Sequence, residues 1–187
     1  FLKGFGKMGK GYLLFVVLLL VPVVSGTLVV EQDLNELIGR SDQILEGRVV
    51  GKDSFWEEGR LMTQYLFVPD EVLFGSSAST RFVSFGGIDE DSHLGQYVPG
   101  SPHFELGEEA LLFLEEAEQR QWVTGFSQGH FVVDDVTGVR MAVQQLEGGL
   151  LAYEGIEVEY DLLQMKVYCA KKDRGFIEEV VWKVVCG

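Results

Sequence analysis

The chain has 187 residues, 47% hydrophobic and 24% charged, with a formal net charge of −14. This is the composition of one globular domain with a real core, and it excludes a disordered chain. So acidic a surface repels phosphate backbones and anionic membranes, which argues against nucleic acid as a partner.

The first stretch reads as a secretory signal peptide over residues 1–26. Lys3, Lys7 and Lys10 precede the apolar run LLFVVLLLVPVV (Leu13 to Val24), and Ser25-Gly26 close it. The run is short for a bilayer span of about 20 residues and contains Pro22, so a retained anchor is the weaker alternative. Val24 and Gly26 suit the small-residue rule for cleavage after Gly26, and Met8 opens MGKGYLLFVV, a conventional leader start. Cleavage removes three lysines and no acid, taking the net charge from −14 to −17. The expected product is secreted or periplasmic, with no membrane span after cleavage.

Next comes EQDLNELIGRSD, a short helix. Asp33 caps it, Glu36 three residues on completes a capping box, and Leu34, Leu37 and Ile38 share one face. Gly39 is placed to end it. QILEGRVVGKDSFW reads as a strand, Glu57 to Gly59 as a turn, and RLMTQYLFVPDEVLFG as a second long strand. Its apolar residues do not alternate, which predicts contact on both faces, and Pro69 marks a bulge or edge. STRFVSFGG is a third strand, residues 88–103 a long loop, and EEALLFLE a fourth strand. QWVTGFSQGHFVVDD and GVRMAVQQ form a pair turned at Thr137-Gly138. YDLLQMKVYCA and FIEEVVWKVV carry apolar residues at helical spacing (Leu162, Met165, Cys169; Ile177, Val181, Val184) and predict a helical cap. The expected fold is mainly β: a five- to six-stranded OB-like barrel over residues 27–147, with a C-terminal helical cap over 148–187.

The order of segments carries a resemblance. SDQILEGRVV at the first strand, DEVLFG closing the second and FELGEEALLFL before the fourth resemble the OB-fold module of tissue inhibitors of metalloproteinases and netrin-type domains. They also resemble exported bacterial proteins of uncharacterised activity with the same pattern. The likeness spans about residues 31–145 and implies a barrel. In the animal inhibitors an N-terminal Cys, held by disulfides, binds the protease zinc; here no Cys precedes Cys169, so that mechanism does not transfer.

Chemistry-bearing motifs are few. GFSQG (125–129) matches G-x-S-x-G, but the following HFVVDD reads as strand and His130 stands only three residues from Ser127, against the order an elbow requires. Gly125 and Gly129 are expected to bend a strand instead. His93, His103 and His130 are all the histidines and form no H-E-x-x-H or close His-x-His pair; a metal-dependent enzyme built on them is the alternative to a binding module. Asp89, Glu90 and Asp91 offer hard oxygens, but Leu94 stands where an EF-hand needs Gly. The acid pairs Glu57-Glu58, Glu108-Glu109 and Glu115-Glu116 are solubilising residues at strand ends. Cys169 and Cys186, the only cysteines, read in an exported chain as a disulfide worth about 3 kcal/mol, with two free thiols as the other reading.

The reading favoured by the sequence is an exported, non-enzymatic binding module acting on an extracellular or envelope protein, with no cofactor. The loop bearing Asp89, Glu90, Asp91, His93 and Tyr97 has no obvious packing role, and long loops on a rigid scaffold are where binding resides. A structural envelope component without a discrete site is the third possibility.

Overall fold

The computed structural model describes residues 30–76, 78–136, 138–146 and 155–171. Residues 1–29, the FIEEVVWKVV segment and Cys186 lie outside these residues, and with them the expected cleavage after Gly26, the second C-terminal helix and the Cys169–Cys186 bridge.

Among the described residues the fold is mainly β with two helices. Helix α1 (Leu34–Arg40) starts at the capping box read from the sequence: Asp33 Oδ1 accepts from the Glu36 amide at 2.9 Å, and Glu36 Oε2 accepts from the Asp33 amide at 3.2 Å. It does not stop at Gly39. Arg40 completes it and Ser41 caps it, its hydroxyl donating to the Leu37 carbonyl at 2.7 Å. The Ser41 amide donates to the same carbonyl at 3.1 Å, so amide and hydroxyl together end the helix without any left-handed residue.

Strands β1 (Gln43–Glu57) and β2 (Arg60–Phe74) form a long antiparallel hairpin around the predicted turn. Its register shifts between Glu46 and Gly47, where Gly47 faces Pro69. A Cβ on Gly47 would lie 2.2 Å from the Val68 carbonyl oxygen and 2.7 Å from Pro69 Cα, so only glycine fits against the bulge that Pro69 imposes.

Strand β3 (Thr80–Phe85) pairs with β2; β4 (Gly87–Asp89) and β5 (Leu94–Gln96) follow; β6 (Glu109–Ala117) pairs with β1 and with β7 (Arg120–Val123). Strand β7 also runs parallel to β3, through Phe82 opposite Gln121 and Val83 opposite Trp122. Pairings therefore run from β1 through β2, β3, β7 and β6 back to β1. Strands β8 (His130–Val136), β9 (Val139–Gln144) and β10 (Glu157–Glu159) extend the sheet outward from β6.

Two sequence expectations change here. Residues 88–103 are not a plain loop, because β4 and β5 form a two-stranded sheet of their own within them. The GFSQG stretch does not continue a strand: a 3₁₀ turn, Phe126–Gly129, divides β7 from β8. The described strands therefore number ten, above the five or six expected, the excess coming from these short segments and β10.

The core has two parts on opposite faces of β1 and β6. Leu45, Val49, Tyr65, Phe67, Phe82, Phe104, Leu112 and Leu114 fill one; Ile44, Leu111, Phe113 and Phe131 join Leu37, Ile38, Tyr160, Leu163 and Val167 from the helices in the other. Successive side chains of a strand point to opposite faces. The unbroken Ala110–Leu114 run thus follows from burial on both sides.

Helix α2 (Tyr160–Lys171) matches the YDLLQMKVYCA expectation, though its buried residues are Tyr160, Leu163 and Val167 instead of the Leu162, Met165 stripe. Tyr160 donates to Glu46 and lies 3.1 Å from Glu71 Oε2, while Arg140 grips Glu46 at 2.7 and 2.8 Å and sits over the Tyr160 ring at 3.9 Å. At the other end, Lys171 Nζ donates to the carbonyls of Ser41 (2.5 Å) and Gly39 (3.3 Å), answering the exposed carbonyls at the end of α1.

Candidate functional site

Two features stand out among the described residues. The first is the β4–β5 hairpin, which carries the residues singled out in the sequence. Asp89 builds its tip: Oδ1 accepts from the Asp91 amide (3.1 Å), and Oδ2 accepts from the Ser92 hydroxyl and from Trp56 Nε1 at 2.7 Å. The Ser92 and Trp56 donors hold the Asp89 carboxyl below its ordinary pKa. Asp89 thus serves the turn and joins this hairpin to the β1–β2 tip. Glu90 and Asp91 point to solvent, and His93, in left-handed backbone with φ 57°, donates from Nδ1 to the Glu90 carbonyl.

At the hairpin's base Gln96 Oε1 accepts from the buried Leu61 amide at 2.7 Å. Thr63 Oγ1 donates to the Gly86 carbonyl at 2.7 Å, and a Cβ on Gly87 would lie 2.1 Å from that same Thr63 oxygen. The segment expected to lack a packing role is therefore pinned at both ends. Held this way, it leaves four large apolar side chains in water: Trp56 at 47% exposure, Ile88 at 67%, Leu94 at 55% and Tyr97 at 64%.

The histidines do not form one centre. His93 sits at the exposed tip. His103 donates from Nδ1 to the Ser101 carbonyl at 2.9 Å and stacks on Tyr97 with ring centroids 5.9 Å apart. His130 is buried against Phe104 at 4.6 Å, with Nε2 3.7 Å from Glu108 Oε1. Among the described residues no group of three or more His, Cys, Asp or Glu side chains is arranged to hold a metal ion. Ser127 is buried in the 3₁₀ turn, its amide donating to the Gly100 carbonyl at 3.0 Å, with strand β8 following where an elbow has a helix. Gly125 (φ 65°) and Phe126 (φ 63°) make the bend there.

The second feature was not anticipated. A cleft of about 410 Å³ opens between β3, the Phe126 turn and the chain entering α1. The rings of Trp122 and Phe126 lie on either hand of Phe85 along its apolar side, their centroids 4.9 and 6.2 Å from that of Phe85 and their planes tilted 34° and 28° from it. Gln128, fully buried, holds the entering chain: Oε1 accepts from the Gln32 amide (2.8 Å) and Nε2 donates to the carbonyls of Val30 (2.9 Å) and Gly125 (3.2 Å). Gln32 lines the cleft too, and its side-chain oxygen is buried with no hydrogen-bond partner. At the rim Arg40 Nη2 contacts both Glu115 oxygens, at 2.9 and 2.8 Å, beside Glu118. No sequence signal marks this cleft, since its walls come from five separate stretches and its turn rests on a left-handed phenylalanine. Against this geometry, comparison of the chain with family models, curated proteins and solved structures gives no match.

Proposed function

We propose that this chain is an exported, non-enzymatic binding module built on an OB-like barrel, and that it engages an extracellular or envelope protein through the β4–β5 hairpin. The barrel reading rests on the circuit of pairings β1–β2–β3–β7–β6–β1 with its one parallel step, β3 to β7. The resemblance to the inhibitor and netrin-type modules belongs to the same proposal and concerns architecture only. Export rests on the basic, apolar leader ending near Gly26.

One observation carries the functional reading: a hairpin tethered at tip and base leaves Trp56, Ile88, Leu94 and Tyr97 exposed instead of burying them, with Leu94 on the face of Asp89 and Ile88 on the other. Several large apolar residues left exposed on one short element beside charged ones are a feature of interaction surfaces, where aromatic residues are enriched. The acids around them, Asp89 to Asp91, favour a partner with a basic rim. The test is a Leu94→Ser, Tyr97→Ser double variant in quantitative capture from envelope extract and culture medium. A partner retained by the native protein and lost by the double variant, at an unchanged melting temperature, is the expected result. Equal capture by both proteins would refute the hairpin as the binding surface.

A further inference from the structure

We propose that the cleft beside Phe126 receives a lysine or arginine side chain of a partner protein, its methylene stem against the rings and its charged head at Gln32 and Glu118. This goes beyond the hairpin reading and uses different residues. Long basic side chains are apolar along the stem and donor-only at the tip. The cleft answers both parts. Phe85, Trp122 and Phe126 offer apolar surface for a stem, and an aromatic wall also attracts a cation placed over a ring face. Gln32 Oε1 is a buried acceptor that lacks a donor, and a buried acceptor without one carries a desolvation cost that an arriving N–H relieves.

The charges point the same way. Among the described residues Arg40 is the one cation lining the cleft, and it is already joined to Glu115 through both carboxylate oxygens. Glu118 then leaves the rim net negative, on a chain of net charge −14 that draws cations towards it. An anionic ligand would meet Glu118 and Gln32 Oε1 as repulsion. A purely aliphatic one would leave that amide oxygen unsatisfied. At about 410 Å³ the space lies near the lower end of ligand pockets, suited to one long side chain with its flanking backbone.

The test titrates the mature protein with three blocked tetrapeptides, acetyl-Ala-X-Leu-Ala-amide with X as arginine, lysine or norleucine. Affinity is followed by calorimetry, and the site by the indole N–H resonances of Trp122 and Trp56. The expected result is saturable binding of the arginine and lysine peptides that moves the Trp122 resonance and spares Trp56. Norleucine should bind at least about fivefold more weakly, since it lacks the charged donor. Glu118→Gln, on an exposed turn where folding is not at risk, should weaken the arginine peptide about threefold, and Gln32→Leu by at least as much. Norleucine binding as well as arginine would overturn the proposal in favour of a plain apolar pocket. Arginine binding that ignores both variants would overturn it in favour of diffuse attraction to an acidic surface, and no saturation at millimolar peptide would overturn it outright. Because the hairpin variants leave these residues untouched, failure here and failure of the hairpin reading are separately visible.

Discussion

Replacing Phe104 by Ala tests the division between a buried anchor that follows the β4–β5 hairpin, Phe104, and the exposed surface that the hairpin presents, including Tyr97. Phe104 is 1% exposed and lies edge-on to Tyr65 and to Phe82, each at 5.2 Å between centroids, with His130 at 4.6 Å. Truncating a buried phenylalanine to alanine costs about 3–5 kcal/mol through lost transfer energy and the residual cavity. Two edge-to-face partners, each worth about 0.5–1.5 kcal/mol beyond area, put this position in the upper part of that range, about 4–5 kcal/mol. Phe104→Leu keeps most of the volume and should cost about 1.5 kcal/mol. Tyr97→Ala, removing an exposed ring, should stay within about 0.5 kcal/mol. Urea unfolding followed by tryptophan fluorescence measures all three. With a slope of about 2 kcal/mol per molar, Phe104→Ala moves the midpoint down by about 2 M, and its melting temperature drops by about 10–15 °C. A loss below about 1 kcal/mol for Phe104→Ala, or an equal loss for Tyr97→Ala, would show that the division into anchor and free surface is wrong.

Gln96→Ala leaves the buried Leu61 amide without its acceptor and should cost about 1–3 kcal/mol, with faster hydrogen exchange at Leu61 as the direct readout. Tyr160→Phe removes the hydroxyl that donates to Glu46 and should destabilise by about 2 kcal/mol near neutral pH, as for bonds to charged acceptors, measured by chemical denaturation. Burial, reinforced by the bond to Glu46, raises the Tyr160 pKa well above the ordinary phenol value, so its contribution is complete below about pH 10 and is lost as pH climbs towards the folded-state value. Stability should therefore fall more steeply above pH 10 in the native protein than in Tyr160→Phe, and parallel curves would contradict this. The Asp89 carboxyl is held low by Ser92 and Trp56, so its share of hairpin stability is present above about pH 4 and disappears as pH falls through the depressed value. The Trp56 indole N–H resonance should report that loss in acid, and Asp89→Asn should shift the same resonance at neutral pH.

Much of the local structure was legible in the residues themselves. Asp33 and Glu36 mark the start of α1 because a capping box involves only neighbours along the chain. Glu58-Gly59 announces the β1–β2 turn, and Pro69 its bulge, because backbone preference is intrinsic to residue type. The ALLFL run foretold burial on both faces of β6, and the helical spacing after Tyr160 foretold α2. What the sequence left open was decided by contacts between distant segments. Gln96 becomes a hairpin residue only because Leu61, thirty-five positions away, needs an acceptor. Ser41 displaces Gly39 as the helix stop because its hydroxyl reaches both Leu37 and Thr124. The Gly125-Phe126 bend takes its left-handed form where the chain leaves β7 and returns along β6 as β8, a demand no periodicity records. The cleft has the same origin: Gln32, Phe85, Trp122 and Gln128 converge only once β3 and β7 lie side by side. Propensity and burial pattern act over a few residues, whereas strand pairing and cavities arise from long-range packing, and that packing alone placed the hairpin and the cleft proposed here for binding.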